Sequence, residues 1–243
     1  MYRHLQLATG LFLLSAATMG HAQFHLGKDK GVKHIKSDLE WMWQYGPPPT
    51  DGRENELVQD LRFRPFLTQY LTAPQTFWGN GTNGKYRALA DTALDFLSVP
   101  DKVIADDNRY LSISGCVVHF CPSRGLLWVD LDTKNPLVVF AAIEWIKESK
   151  TTAQPDAEYT LWVFPNQAFS MEKDVPNRIP PALARSISRW SVEPLAGTGI
   201  VQNITHAILV DPDGTPHELP IAAFGATTPK AIAAATTEKK DQP

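Results

Sequence analysis

The chain has 243 residues, 43% of them apolar and 20% charged, which is enough apolar mass for one globular domain with appendages. Its 23 basic residues against 26 acidic ones give a net charge of −3. With no basic excess, nothing points to a nucleic-acid partner.

The first 22 residues read as a secretory signal peptide. Arg3 and His4 form the charged start, and Leu5–Met19 is apolar but too short to span a bilayer. Gly20, His21 and Ala22 supply the cleavage site, which places the mature start at Gln23. No cysteine follows the apolar run, which excludes a lipoprotein, and no later run reaches membrane-spanning length. The expected location is periplasmic or secreted.

Residues 23–53 read as a flexible arm and a proline-rich linker. Within them Leu39, Trp41, Trp43 and Tyr45 alternate at period two, which predicts a short strand or extended segment. Its aromatics either pack back on the domain or form a partner-binding arm. The break at 46–52 follows. Leu57, Val58 and Leu61 predict a helix over 54–62, and Pro65 opens a second one carrying Phe66, Leu67, Tyr70 and Leu71. A turn cluster at 80–84 leads to a third helix through Tyr86, Leu89, Ala93 and Leu97, ending before Pro100.

Strands are predicted next at 103–105 and 110–115, around an Asp106-Asp107-Asn108 turn read as solvated. A hairpin of 126–131 and 137–145 follows, then a strand at 159–164. The run 137–143 is apolar throughout, which predicts a central strand covered on both faces. Pro180 and Pro181 open a helix with Leu183, Ile187 and Trp190 on one side. A last hairpin joins 204–210 to 215–219, and 225–243 reads as a disordered tail. This order predicts an α+β fold: a mainly antiparallel sheet, N-terminal helices packed on it, and a closed loop at one end. Residues 54–165 form the main domain and 166–224 a C-terminal extension of it, whose role the sequence leaves unassigned.

Cys116 and Cys121, the only cysteines, enclose His119. In an exported protein such a pair favours a disulfide. A structural zinc site needs four ligands, and no second cysteine pair exists, so no metal and no cofactor is expected. A bridge over so short a loop adds only about 2 kcal/mol, but it holds a loop tip in one shape. There is no nucleophile elbow, no His-Glu-x-x-His and no phosphate-binding glycine loop, so no catalytic residues are assigned.

The segment from Val103 to Cys121, ending in Cys116-Val117-Val118-His119-Phe120-Cys121, resembles the core signature of the Ivy family, periplasmic inhibitors of vertebrate lysozyme. Family members carry Cys-Lys-Pro-His-Asp-Cys. Cys116, His119 and Cys121 match that motif, while Val117, Val118 and Phe120 replace the family's Lys, Pro and Asp. The likeness covers about residues 60–165, and only the loop is specific. It implies that the loop enters a lysozyme cleft, where the histidine bonds to the catalytic carboxylates. Tyr110, Pro122, Ser123 and Arg124 flank the loop and are expected to widen the contact. The expected partner is a chicken-type lysozyme or another cell-wall lytic enzyme, and a homodimer is left open. Two rivals stand beside this reading: a binding or scaffolding module with the same fold and no inhibition, and an envelope enzyme using His119 as a general base.

Overall fold

A computed structural model describes residues 39–46, 53–79, 86–131, 134–169 and 179–226. The expected signal peptide (1–22), the lysine-bearing arm (23–37) and the turn cluster at 80–84 lie outside them. So do all but the first residue of the break at 46–52 and all but the first two of the expected tail at 225–243.

Seven strands form one sheet in sequence order: β1 Val99–Asp106, β2 Tyr110–Val117, β3 Phe120–Asp130, β4 Val138–Trp145, β5 Glu158–Pro165, β6 Asn203–Val210 and β7 Pro216–Glu218. Every neighbouring pair is antiparallel except β5–β6. That parallel step is bridged by α5, Pro181–Ser191, in keeping with the crossover a parallel pair requires. Among the described residues four α-helices precede the sheet: α1 Glu40–Trp43, α2 Arg53–Gln59, α3 Phe63–Tyr70 and α4 Leu89–Phe96. The fold is α+β.

Strands β3 and β4 are buried on both faces. Leu127, Val129, Phe140 and Ala142 share a core with Leu57, Phe63, Leu67, Ala93 and Phe96 of α2–α4. Leu126, Trp128, Val139, Ala141 and Ile143 share a second core with Leu183, Ile187 and Trp190 of α5. The period-two split of one strand into two cores is why the run at 137–143 contains no polar residue. Small residues set how closely α4 approaches. A Cβ at Gly125 would stand 2.8 Å from the Phe96 Cβ and 3.0 Å from its carbonyl oxygen.

The segment around Trp41 is a helical turn, not the extended arm that its alternation predicts. Leu39 and Met42 are the buried pair, and Met42 N–H donates to the Leu39 carbonyl at 2.9 Å. Spacing of three therefore overrides the alternation of Trp41, Trp43 and Tyr45, because burying Met42 organises the turn. Trp41 packs edge-on to Phe66 at 6.5 Å and lies under the Arg62 guanidinium at 4.5 Å.

The acidic pair lies at a turn as expected, with the Asp107 side chain 62% exposed, and it also makes surface ion pairs. Asp107 and Asn108 both adopt positive φ, 54° and 48°, at the centre of the tight turn that the Arg109 N–H closes on the Asp106 carbonyl at 3.1 Å. Asp106 then accepts from Arg189 at 2.7 Å, and Asp107 from Arg185 at 2.9 Å. Both arginines lie on α5, so the turn docks the helix of the C-terminal segment.

The close seating of α4 is directly testable. Gly125→Ala should cost about 1–3 kcal/mol by overpacking, measured as a lowered urea midpoint at unchanged slope. An unchanged midpoint would mean that α4 does not sit against β3 as described.

Candidate functional site

The Cys116–Cys121 segment is the turn of the β2–β3 hairpin at one end of the sheet. Strand pairing runs closer to the tip than the apolar pattern predicts, because β3 begins at Phe120. Cys116 faces Arg124, yet the next residue, Val117, faces Phe120. Cys121, Pro122 and Ser123 therefore bulge out of the ladder, and the disulfide closes the base of that bulge with Cα atoms 4.8 Å apart. The tip is Val118-His119. His119 has φ of +62°, left-handed and exposed, and Val118 is 50% exposed.

Four further contacts hold this turn. The Val118 N–H donates to Ser98 Oγ at 2.9 Å. That hydroxyl donates to the Asp95 carbonyl at 2.7 Å, with the Cys116 carbonyl at 3.2 Å, which ties the tip to the end of α4. Phe120 packs against Trp145 of β4, ring centroids 6.1 Å apart. The Pro122 carbonyl accepts from Gln202 Nε2 at 2.7 Å. Gln202 is fully buried, and its Oε1 accepts from Arg124 Nε at 2.6 Å. Arg124 also donates to the Glu193 carbonyl at 3.0 Å and stacks over Trp190 at 5.4 Å. Burial pushes its guanidinium down to about 10, so it remains a cation at neutral pH. The positive charge meets carbonyls past the end of α5, where the helix dipole is negative.

Two of the flanking positions expected to widen the contact are unavailable. Ser123 is fully buried and Arg124 nearly so, both inside the bulge anchor. Tyr110 lies at the opposite end of β2, stacked on Trp128 at 5.1 Å. Pro122 stays half-buried beside the turn. The residue that does adjoin the tip is Val99, 40% exposed, next to the Ser98 that holds Val118. In the sequence Val99 reads only as the end of an apolar helix. The exposed and half-buried side chains around the tip are therefore Val99, Val117, Val118, His119 and Phe120. Among the described residues no three His, Cys, Asp or Glu side chains converge to hold a metal.

Glu144 lies at the same end of the sheet, where burial raises its carboxyl to about 7. The Trp162 indole N–H at 3.2 Å and the charge of Lys147 oppose that rise, while Glu148 adds to it. No protein-family model, no curated protein and no solved structure matches the chain.

Two outcomes follow from this geometry. Replacing both cysteines by serine should lower stability by only about 2 kcal/mol and leave the sheet intact, read by urea unfolding and far-UV circular dichroism. Loss of all secondary structure would place the core elsewhere. Glu144 supplies the second. A carboxyl raised in the fold holds its proton more tightly there than in the unfolded chain. Stability from this group is thus full below about 4.5 and is lost as pH rises through 7. Glu144→Gln should remove that loss, on the order of 1 kcal/mol after discounting for partial exposure, and flatten the melting temperature between pH 5 and pH 8. Parallel pH profiles for the two proteins would contradict it.

Proposed function

We propose that this is an exported, non-enzymatic protein that binds a cell-wall lytic enzyme by inserting the Cys116–Cys121 turn, His119 foremost, into the enzyme's active-site cleft. The observation that carries this reading is the state of His119. It is an exposed residue with a side chain, in a left-handed conformation that a glycine would adopt at lower cost. Holding it there costs about 1 kcal/mol, and backbone strain of this kind gathers at functional positions. The bridge and the contacts through Ser98, Trp145 and Gln202 support a tip that is ordered before it meets a partner. Pre-ordering lowers the entropy lost on binding.

The chemistry suits a glycosidase cleft. Such enzymes set two carboxylates across one glycosidic bond. An imidazole donates from either nitrogen and is small enough to sit between them. The match of Cys116, His119 and Cys121 to the Ivy motif supports the same partner class. The rival is a binding module that shares the fold without blocking lysozyme. Val117 and Phe120 favour it, since they give the turn an apolar character where the motif carries Lys and Asp.

Purified protein should slow a chicken-type lysozyme acting on cell walls. Charged hydrogen bonds lost with the imidazole should make His119→Ala about 10–100-fold weaker, while Val117→Ala changes little. Inhibition should fall at acid pH, where the enzyme's carboxylates protonate and stop accepting. His119→Gly separates function from folding: it should abolish inhibition while stabilising the protein by up to about 1 kcal/mol. No inhibition by the unmodified protein at micromolar concentration would exclude the inhibitor and leave the binding module.

A further inference from the structure

The face of the sheet covered by α2–α4 carries a second ordered feature at the end where the turn lies. Phe77 stacks on Trp162, ring centroids 5.0 Å apart and planes 21° from parallel. The neighbouring residue, Trp78, stands edge-on to Phe96 at 4.7 Å. All three of these rings, Phe77, Trp78 and Trp162, are only half-buried. Each indole N–H donates to a carboxylate: Trp78 to Asp95 Oδ2 and Trp162 to Glu144 Oε2, both at 3.2 Å. Arg87 pairs with the same oxygen of Asp95. Among the described residues Asp95 Oδ1 and Glu144 Oε1 take no part in these contacts, which leaves one oxygen of each carboxyl beside the rings.

The loop that bears Phe77 and Trp78 is held from within. Gln75 is almost fully buried, and its amide makes four hydrogen bonds to that loop and its surroundings. Oε1 accepts from the N–H groups of Phe77 and Trp78, and Nε2 donates to the carbonyls of Trp78 and Arg87. Three of the four bonds fix the backbone of Phe77 and Trp78, which anchors the segment that bears their rings.

We propose that Phe77, Trp78 and Trp162, with the carboxylates of Asp95 and Glu144, form a binding shelf for an uncharged glycan. Flat apolar rings suit the C–H faces of pyranose sugars; the Asp95 carboxylate accepts from their hydroxyls, and the protonated Glu144 carboxyl both donates to and accepts from them. Charge selects the ligand class. Arg87 neutralises Asp95, and the half-buried Glu144 holds its proton to near neutral pH, so the shelf carries too little charge to favour a cationic peptide. The site does not depend on His119 or on the reading of the disulfide turn.

The test is calorimetric and fluorescence titration of the full chain with N-acetylchitotriose, alongside a lysine-rich peptide. The expected result is saturable glycan binding with a dissociation constant of about 0.1–1 mM and a change in tryptophan emission. Glu144→Ala should weaken it about 10-fold and Trp162→Phe, which keeps the stacked ring but removes the N–H, several-fold. Asp107→Ala, at the opposite end of the sheet, should bind as the unmodified protein does. No binding at about 5 mM glycan, binding of the peptide in its place, or glycan binding untouched by Glu144→Ala in a folded protein would each overturn the proposal.

Discussion

Burial of β3 and β4 on both faces is the constraint on which the rest depends. One layer of side chains, Phe140 and Ala142 among them, meets α2–α4, and the alternate layer, Val139, Ala141 and Ile143, meets α5. A sheet covered on one side only would leave one of these layers in water. At roughly 25 cal/mol per Å2, exposing several valine- and isoleucine-sized side chains outweighs any surface contact in the molecule. The C-terminal helix is therefore a structural necessity. Its Leu183, Ile187 and Trp190 share the second core with Trp128 and Leu161.

Polar groups inside this frame are arranged by the same need. The sheet ends where the hairpin turns, and the bulge there frees backbone groups that must find partners. Gln202 supplies one to the Pro122 carbonyl, and Arg124 holds Gln202 in place at the cost of burying a cation. That cost is met by carbonyls of the α5 end and by the Trp190 ring, with no carboxylate in direct contact. Glu193, the nearest acid, is engaged by Lys102 at 2.9 Å. The turn is thus tied to α4 through Ser98 and to the α5 end through Arg124, so helices on both faces support the exposed His119. On the outer side, exposed arginine–aspartate pairs orient α5 but contribute little energy each.

Much of this was legible in the chain. Period-two and period-3.6 patterns located the helices α2–α5 and the strands, because each buries one face or two. The cysteine pair marked the turn, since two cysteines so close in an otherwise cysteine-free chain have few other uses. Four features were not legible, each for a physical reason. The Trp41 alternation suggested an extended segment, since a single helical turn is too short for its period to outweigh a chance alternation. The early start of β3 was hidden because Pro122, Ser123 and Arg124 are polar or helix-breaking, and only tertiary anchoring keeps them in the strand. The buried roles of Gln75, Arg124 and Gln202 have no sequence signature, because each depends on partners far along the chain. Val99 was obscured by its place between a helix end and a strand start.

The central claim is that the tip of the β2–β3 hairpin is held in one conformation before any partner arrives. Backbone 15N relaxation of the oxidised, free protein tests it most directly. Val117, Val118, His119 and Phe120 should show order parameters near the rigid value of about 0.85, matching the strands they join, with the Val118 amide slow to exchange because it donates to Ser98. Order parameters below about 0.6 at Val118 and His119, with free amide exchange, would mean that the bridge and its supporting contacts do not order the tip, and the account would fail.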